Sequence, residues 1–429
     1  MNYPDSVHFL YALGNEIKTA KLGLERIRAV LDALGNPQDT LKIVHVAGTN
    51  GKGSTCAMIE SGFRAAGLRT GLYTSPHLAE PTERIRIAGR PASAERFAAA
   101  FNRVHAVVEQ LLAREAIDLH TTYFETVTAM AFLIFAEEGV DRVVLEVGLG
   151  GRLDATNVVR PSLAVITPID FDHESFLGRG IEPIAAEKAG ILKPGVPAVF
   201  ARQRPEAARV LDRRAAELDI PVTRAASAFI QKLSLDARGS RFELSGATPL
   251  SIRCPLAGEH QADNAATAAL ALLACGVDHR EIEAGIAAAL WPGRLEHVRE
   301  HPAMILDGAH NPAAARALAA YITRFYSTVR LHLIFGIMRD KAAAEIAAIL
   351  FPLAWQVIVT APRQSRALAP ESLRAVVDHP NLQFAPTLEA ALRLIEDAPP
   401  DDVIFITGSL FLVAEARELL LPGTAFPPL

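Results

Sequence analysis

The feature that most constrains this chain is a short apolar run that ends in glycine and leads directly into a helical pattern. Residues 41–47, LKIVHVA, are apolar and β-branched; Gly48, Thr49, Asn50, Gly51, Lys52, Gly53 and Ser54 follow, and residues 54–66 then carry apolar side chains on one face. A second strand pattern at 70–74 closes a βαβ unit, which predicts an α/β fold with a mostly parallel sheet. A glycine-rich turn between strand and helix gives backbone N–H groups and a helix N-terminus to an anion, and Lys52 is placed to reach the outer oxygens of a nucleotide's phosphates. Gly53 stands where Ser or Thr commonly binds magnesium, so another hydroxyl is needed, and Ser75 is the candidate.

Composition narrows the class. At 429 residues the chain exceeds what one core usually supports, so two domains are expected. Further strands are predicted at 142–147, 163–167 and 196–201, with helical patterns at 7–34, 124–138 and 262–275 and a small β-excursion at 236–249. A Pro-Gly break in 291–299 precedes a second alternation with strands at 304–306, 331–335, 356–360 and 403–407. The boundary is therefore set at 295/296, one domain over 1–295 followed by a second over 296–429. No apolar run reaches the ~20 residues of a membrane span, and a net charge of −5 without a basic run gives no footprint for nucleic acid. Cys56, Cys254 and Cys275 are too scattered for a disulfide framework, which fits a reducing cytoplasm. A small-molecule partner is expected. Only eight of the 43 basic residues are Lys, and Lys52, Lys188 and Lys341 all fall in motifs, where a compact ammonium or a titratable amine has chemical use.

Carboxylates and histidines recur at predicted strand ends, where open α/β sheets bind ligands. Glu146 opens EVGLGGRLDATN and offers a hard oxygen suited to magnesium. Asp170-Phe171-Asp172-His173 follows the next strand, with Glu187-Lys188-Ala189-Gly190 nearby in sequence. In the second half Asp307-Gly308-Ala309-His310-Asn311-Pro312 reads as a strand end and a capped helix start. Gly408-Ser409 repeats that pattern at the last strand, and Arg339-Asp340-Lys341 does so more weakly.

Taken in order, GTNGKGS (48–54), SPHL (75–78), TERIRI (82–87), TYFE (122–125), EVGLGGRLDATN (146–157), DH (172–173), EKAGI (187–191), PGR (292–294), DGAHNP (307–312), RDK (339–341) and GSLFLV (408–413) resemble the folylpolyglutamate synthase and dihydrofolate synthase family of Mur-type ATP-dependent amide ligases. The resemblance implies an N-terminal P-loop ATPase domain and a C-terminal Rossmann-like domain. It implies that residues 48–54 bind the phosphates of ATP, that Asn264, Arg294 and Asp307 contact the nucleotide, and that Ser75, Glu146, His173 and a carbamylated Lys188 hold two Mg²⁺ ions. Ala20, Lys21, Leu22, Thr122, Tyr123, Phe124, Glu125, Leu153, Asp154 and Ala155 align with segments that receive the pterin substrate. Lys52, Lys188, Asp307 and His310 are the implied catalytic residues, with Ser409 beside the incoming L-glutamate. The implied reaction adds glutamate to dihydropteroate and to tetrahydrofolate through an acyl phosphate, in a monomer. Three alternatives stay open: polyglutamation alone, a Mur-type ligase for another carboxylate, and a nucleotide switch without ligase chemistry.

Overall fold

The computed structural model describes residues 1–13, 23–225, 230–246, 249–374, 377 and 379–422. Two compact units emerge. The first comprises Met1–Gln231, Glu243–Ile252 and Asp263–Ala289; the second comprises Lys232–Phe242, Arg253–Ala262 and Leu290–Leu429.

The first unit is built on an eight-stranded sheet. Its strands are β1 (Ile43–Ala47), β2 (Thr70–Tyr73), β3 (Ile85–Ile87), β4 (Arg90–Pro91), β5 (Arg142–Glu146), β6 (Leu163–Ile166), β7 (Ala198–Phe200) and β8 (Val222–Arg224), in the order β4-β3-β2-β5-β1-β6-β7-β8. From β2 to β8 neighbours pair in parallel, whereas β3 pairs antiparallel with both β2 and β4. Every residue of β1 is buried, as a parallel strand covered on both faces requires. Helices α1 (Tyr3–Ala12), α2 (Glu25–Ala33), α3 (Lys52–Ala65), α4 (Ala94–Ala113) and α5 (Tyr123–Glu137) precede β5, and α6 (Glu174–Leu177), α7 (Ile181–Ala189) and α8 (Pro205–Glu217) follow β6.

Among the described residues, the helical pattern at 7–34 is met by α1 and α2. Helix α1 starts earlier than expected, at Tyr3, because the Asn2 side chain caps it and a proline occupies its first turn. Gly23 and Leu24 lie outside helix, and α2 begins at Glu25. Helix α4 fills a stretch for which no element was predicted. Ser93 caps it, and Phe97, Phe101, Val104 and Val108 form its buried stripe. Phe97, Phe101, Phe132 and Phe135 are all fully buried in the core that α4 and α5 share.

The expected β-excursion is a three-stranded sheet of β9 (Ile230–Asp236), β10 (Gly239–Leu244) and β11 (Leu250–Cys254), followed by α9 (Glu259–Ala274) and α10 (His279–Ala287). The second unit holds a six-stranded sheet in the order β12-β13-β17-β14-β15-β16, in which only β12 runs antiparallel. Its strands are β12 (Glu296–Glu300), β13 (Ala303–Leu306), β14 (Leu331–Phe335), β15 (Gln356–Val359), β16 (Leu382–Phe384) and β17 (Val403–Thr407). Helices α11 (Pro312–Tyr326), α12 (Ala343–Leu350), α13 (Leu388–Arg393) and α14 (Leu410–Leu420) connect and cover them. Among the described residues no helix is long and apolar enough to cross a membrane.

Candidate active site

Register decides which motifs meet in the first unit. Val46 lies opposite Glu146, Ala47 opposite Ile166, and Tyr73 opposite Leu145. The parallel strands β2, β5, β1 and β6 therefore end level. Ser75, Glu146, the turn 48–54 and the segment 167–173 all leave from that one edge, where ligands of open α/β sheets bind. Ser75 N–H donates to Glu146 Oε2 at 3.0 Å. The turn is clamped on its other side: the N–H groups of Thr49 and Asn50 donate to Pro168 O at 2.9 and 3.1 Å, and Thr49 Oγ1 donates to Asp170 O at 3.0 Å.

Gly51 caps α3 with φ of 80°, and a Cβ built there would lie 2.3 Å from Asn264 Oδ1. Only glycine avoids both the left-handed strain and that clash. Asn264 on α9 thus approaches the turn that contains Lys52.

The charge pattern centres on two lysines. Lys52 Nζ donates to Gly48 O at 3.1 Å and Thr49 O at 3.2 Å, and Lys188 Nζ donates to the same Gly48 O at 2.9 Å. Lys188 is 5 % exposed. Burial first, and then the charge of Lys52, lower its pKa to about 7, against the opposing carboxylates of Asp172, Asp154 and Glu187. A substantial fraction of Lys188 is therefore a neutral amine near neutral pH, a form ordinary lysines scarcely populate.

Glycines bring Lys188 to this place. A Cβ on Gly151 would sit 2.6 Å from Glu187 O, and one on Gly190 would sit 2.4 Å from Arg152 Cβ. The loop after β5 and the end of α7 are packed backbone to backbone. Asn157 Nδ2 donates to Arg152 O and Gly190 O at 2.9 and 3.1 Å and ties the two together.

Asp154 is buried within that loop; it accepts from the N–H groups of Leu149 and Thr156 at 2.9 and 3.0 Å and from Thr156 Oγ1. Burial raises its pKa while these bonds oppose the rise. His45 Nε2 lies 2.8 Å from Thr156 Oγ1, and burial lowers the His45 pKa to about 3. His45 was not singled out in the sequence, where it reads as one polar residue within a strand.

His173 adopts φ of 53° and its N–H donates to Asp172 Oδ1 at 2.9 Å. Ser75 and Glu146 are hard oxygen donors and suit magnesium, as a carbamate on Lys188 would, whereas His173 adds a nitrogen.

The implied substrate segments divide into local and outward-looking roles. Thr122 and Glu125 form a capping box at the start of α5, and Glu125 also pairs with Arg26 at 3.2 Å. Phe124 packs on Gly148, where a Cβ would lie 2.5 Å from its ring. Tyr123 stacks on Tyr11 at 5.8 Å, and the Arg84 guanidinium lies 4.9 Å above the Tyr123 ring. Tyr11 and Arg84 also meet His77, at 3.2 and 2.9 Å. His77 and Arg84 of this cluster stand in SPHL and TERIRI and Tyr123 in TYFE, and packing alone brings Tyr11 to them. Ala155 is buried beside Asp154, and Leu153 is half-buried. Ala20, Lys21 and Leu22 lie outside the described residues.

In the second unit Leu306 pairs with Ile406, and Phe335 with Thr407, so β13, β17 and β14 also end level. Asp307 is buried; its oxygens accept from the N–H groups of Leu295 and Ala309 at 3.0 and 2.9 Å. Burial raises its pKa and the Arg294 charge opposes the rise. A Cβ on Gly308 would lie 2.3 Å from Arg294 Nη1, so the arginine crosses close to that backbone. Burial and Arg294 hold His260, another residue the sequence did not single out, at a pKa of about 4. His310 Nδ1 lies 2.8 Å from Gly308 O; Asn311 caps α11 and Ser409 caps α14. Arg339 is committed locally, donating to Ala367 O and Ser365 O at 2.9 and 2.7 Å.

Comparisons with known proteins cover both units. Residues 46–272 match the Mur ligase middle domain, and residues 293–410 match the Mur ligase glutamate ligase domain. The dihydrofolate synthase/folylpolyglutamate synthase of Bacillus subtilis is 37 % identical, covering 93 % of this chain and 95 % of the relative. That of Escherichia coli is 36 % identical, covering 94 % and 92 %. Among solved structures, Mycobacterium tuberculosis folylpolyglutamate synthase complexed with ADP and AMPPCP superimposes with a TM-score of 0.91 at 36 % identity, covering 98 % of this chain and 99 % of that one. Escherichia coli FolC in complex with DHPP and ADP superimposes with a TM-score of 0.84 at 34 % identity, covering 96 % and 97 %. Similarity thus runs through both units at nearly full length, and the chain belongs to the dihydrofolate synthase/folylpolyglutamate synthase family of ATP-dependent Mur ligases.

Proposed function

We propose that this enzyme adds L-glutamate to dihydropteroate, forming dihydrofolate, and to tetrahydrofolate, forming polyglutamates. The observation that carries the reading is the convergence of Lys52 and Lys188 on Gly48 O. It gives one strand edge both a phosphate-reaching ammonium and an amine that is partly neutral near pH 7.

In this reading residues 48–54 and Asn264, in a domain spanning 1–295, bind ATP, and Arg294 and Asp307 are further nucleotide-binding residues. The turn's N–H groups and Lys52 draw charge from the phosphates while a substrate carboxylate oxygen attacks the γ-phosphorus. The bond to the ADP oxygen breaks, leaving ADP and an acyl phosphate. Glutamate is received by the 296–429 domain beside His310 and Ser409. His310, oriented by its Nδ1 contact with Gly308 O, accepts the proton as the glutamate amine attacks the acyl carbon. Phosphate leaves and the amide remains.

Ser75 and Glu146 would hold one Mg²⁺, with His173 and a carbamylated Lys188 helping to hold a second. Bound there, magnesium supplies charge neutralisation on the phosphate oxygens. The carbamate forms when the neutral amine adds to CO₂ and releases a proton, turning a cation into an oxygen ligand. Tyr123, Leu153 and Ala155 remain the pterin contacts, as do residues 20–22, while Thr122, Phe124, Glu125 and Asp154 shape that surface from within. A reducing cytoplasm fits the three free cysteines, and the enzyme is proposed to act as a monomer.

A substrate labelled with ¹⁸O in its carboxylate tests the chemistry. Transfer of one ¹⁸O to the released phosphate is expected; unlabelled phosphate would exclude an acyl phosphate. The name of the Lacticaseibacillus casei relative, folylpolyglutamate synthase, at 35 % identity, favours the second reading of polyglutamation alone.

A further inference from the structure

The surface of the first unit carries a second cluster of ligand-type side chains outside the strand-end site. His105 and Glu109 lie one turn apart on α4, on the same helix face. His120 is brought to them by the connection that leads into α5. One ligand atom from each of the three residues lies within 4.8 Å of the others. His105 Nδ1 and His120 Nε2 are each 3.8 Å from Glu109 Oε1. At that distance neither nitrogen is hydrogen-bonded to the carboxylate, and both are buried nitrogens without a hydrogen-bond partner. Two ligands of a tetrahedral zinc ion sit roughly 3.3 Å apart, given metal–ligand bonds of about 2.0–2.2 Å. Each histidine–carboxylate distance exceeds that by roughly 0.5 Å, which side-chain rotation can close.

The surroundings fix the rings for that task. His120 Nδ1 lies 2.9 Å from Thr121 O. Donating there leaves the lone pair on Nε2, the nitrogen that faces Glu109, and this is how metal-binding histidines are usually oriented. His105 is stacked on Phe101 at 5.5 Å, and Phe9 packs on His105 and His120 at 4.7 and 5.6 Å. Two histidines with one carboxylate favour zinc-class ions over magnesium, so this site is chemically unlike the strand-end one.

We propose that His105 Nδ1, Glu109 and His120 Nε2 form a zinc site that fastens the 114–121 connection to α4. That connection ends at the cap of α5, whose first turn carries Thr122 and Tyr123, so the ion would steady one wall of the substrate side.

Zinc titration by calorimetry on untagged protein, with Mg-ADP saturating the nucleotide site, tests this. The wild type should bind one Zn²⁺ more tightly than Glu109→Gln and His120→Gln do, by at least about tenfold for each variant. Zinc should also raise the melting temperature of the wild type but not that of His120→Gln. Glu109 is exposed, so its variant should fold normally and keep the comparison valid even if His120→Gln does not. Equal zinc affinity in wild type and Glu109→Gln, or no zinc binding by the wild type, would overturn the proposal and leave an ordinary histidine–glutamate ion pair.

Discussion

At the edge of the first sheet two lysine nitrogens converge on one carbonyl oxygen, whereas at the edge of the second a carboxylate is held by two backbone N–H groups near an arginine. Both edges arise the same way, from parallel strands whose register ends level. The side chains then diverge. The first edge concentrates positive charge and N–H donors, which suits phosphate. The second sets Asp307, Arg294 and His310 among helix N-termini, a mixed arrangement suited to a nucleotide's neutral groups and to a zwitterionic amino acid. One fold rule therefore yields two chemistries, and substitutions at the two edges should separate them.

Lys52→Ala should have the largest effect, lowering ADP formation by about 10³-fold with an unchanged melting temperature. Turnover within tenfold of wild type would break the claim that the first edge is the phosphate site. Lys188→Ala should cost about 10²-fold and recover in part with added acetate, whose carboxylate replaces the carbamate; full activity without acetate would remove the carbamate. At the second edge Asp307→Asn should cost about tenfold, because the remaining oxygen still accepts one N–H. Asp307→Ala should cost more and lower stability by about 1–3 kcal/mol, since two buried N–H groups lose their acceptor. Equal losses in the two variants, read from activity and chemical denaturation, would mean that only the negative charge matters.

The smallest effect concerns pH. His45 has a folded pKa of about 3 against an ordinary value near 6.5. Below pH 6.5 the unfolded chain takes up a proton that the folded chain refuses, so the stability His45 permits is complete above 6.5 and is lost as pH falls towards 3. By pH 5.5 the loss is about 1 kcal/mol. His45→Asn should flatten that slope in denaturation measured at the two pH values, and an unaltered slope would show that His45 is protonated in the fold.

The sequence announces what is local. A β-branched run, a glycine turn and a one-faced helix sit within residues 41–66, and that unit formed as expected, with β1 and α3 on either side of the turn. Strand-end carboxylates such as Glu146 and Asp307 were legible for the same reason. The Lys188 to Gly48 bond was not, because its partners are 140 residues apart and meet only through the backbone contact that Gly151 and Gly190 permit. Asn264 reaching the turn is likewise a product of packing. Helix α4 has its own sequence signals, Ser93 as cap and the apolar stripe at 97, 101, 104 and 108.

The most direct test is ADP release by purified enzyme with Mg-ATP and L-glutamate, supplied with dihydropteroate in one reaction and tetrahydrofolate in the other. Glutamate-dependent release with both is the expected result. Release with neither would contradict the account, and release with tetrahydrofolate alone would confine the enzyme to chain extension.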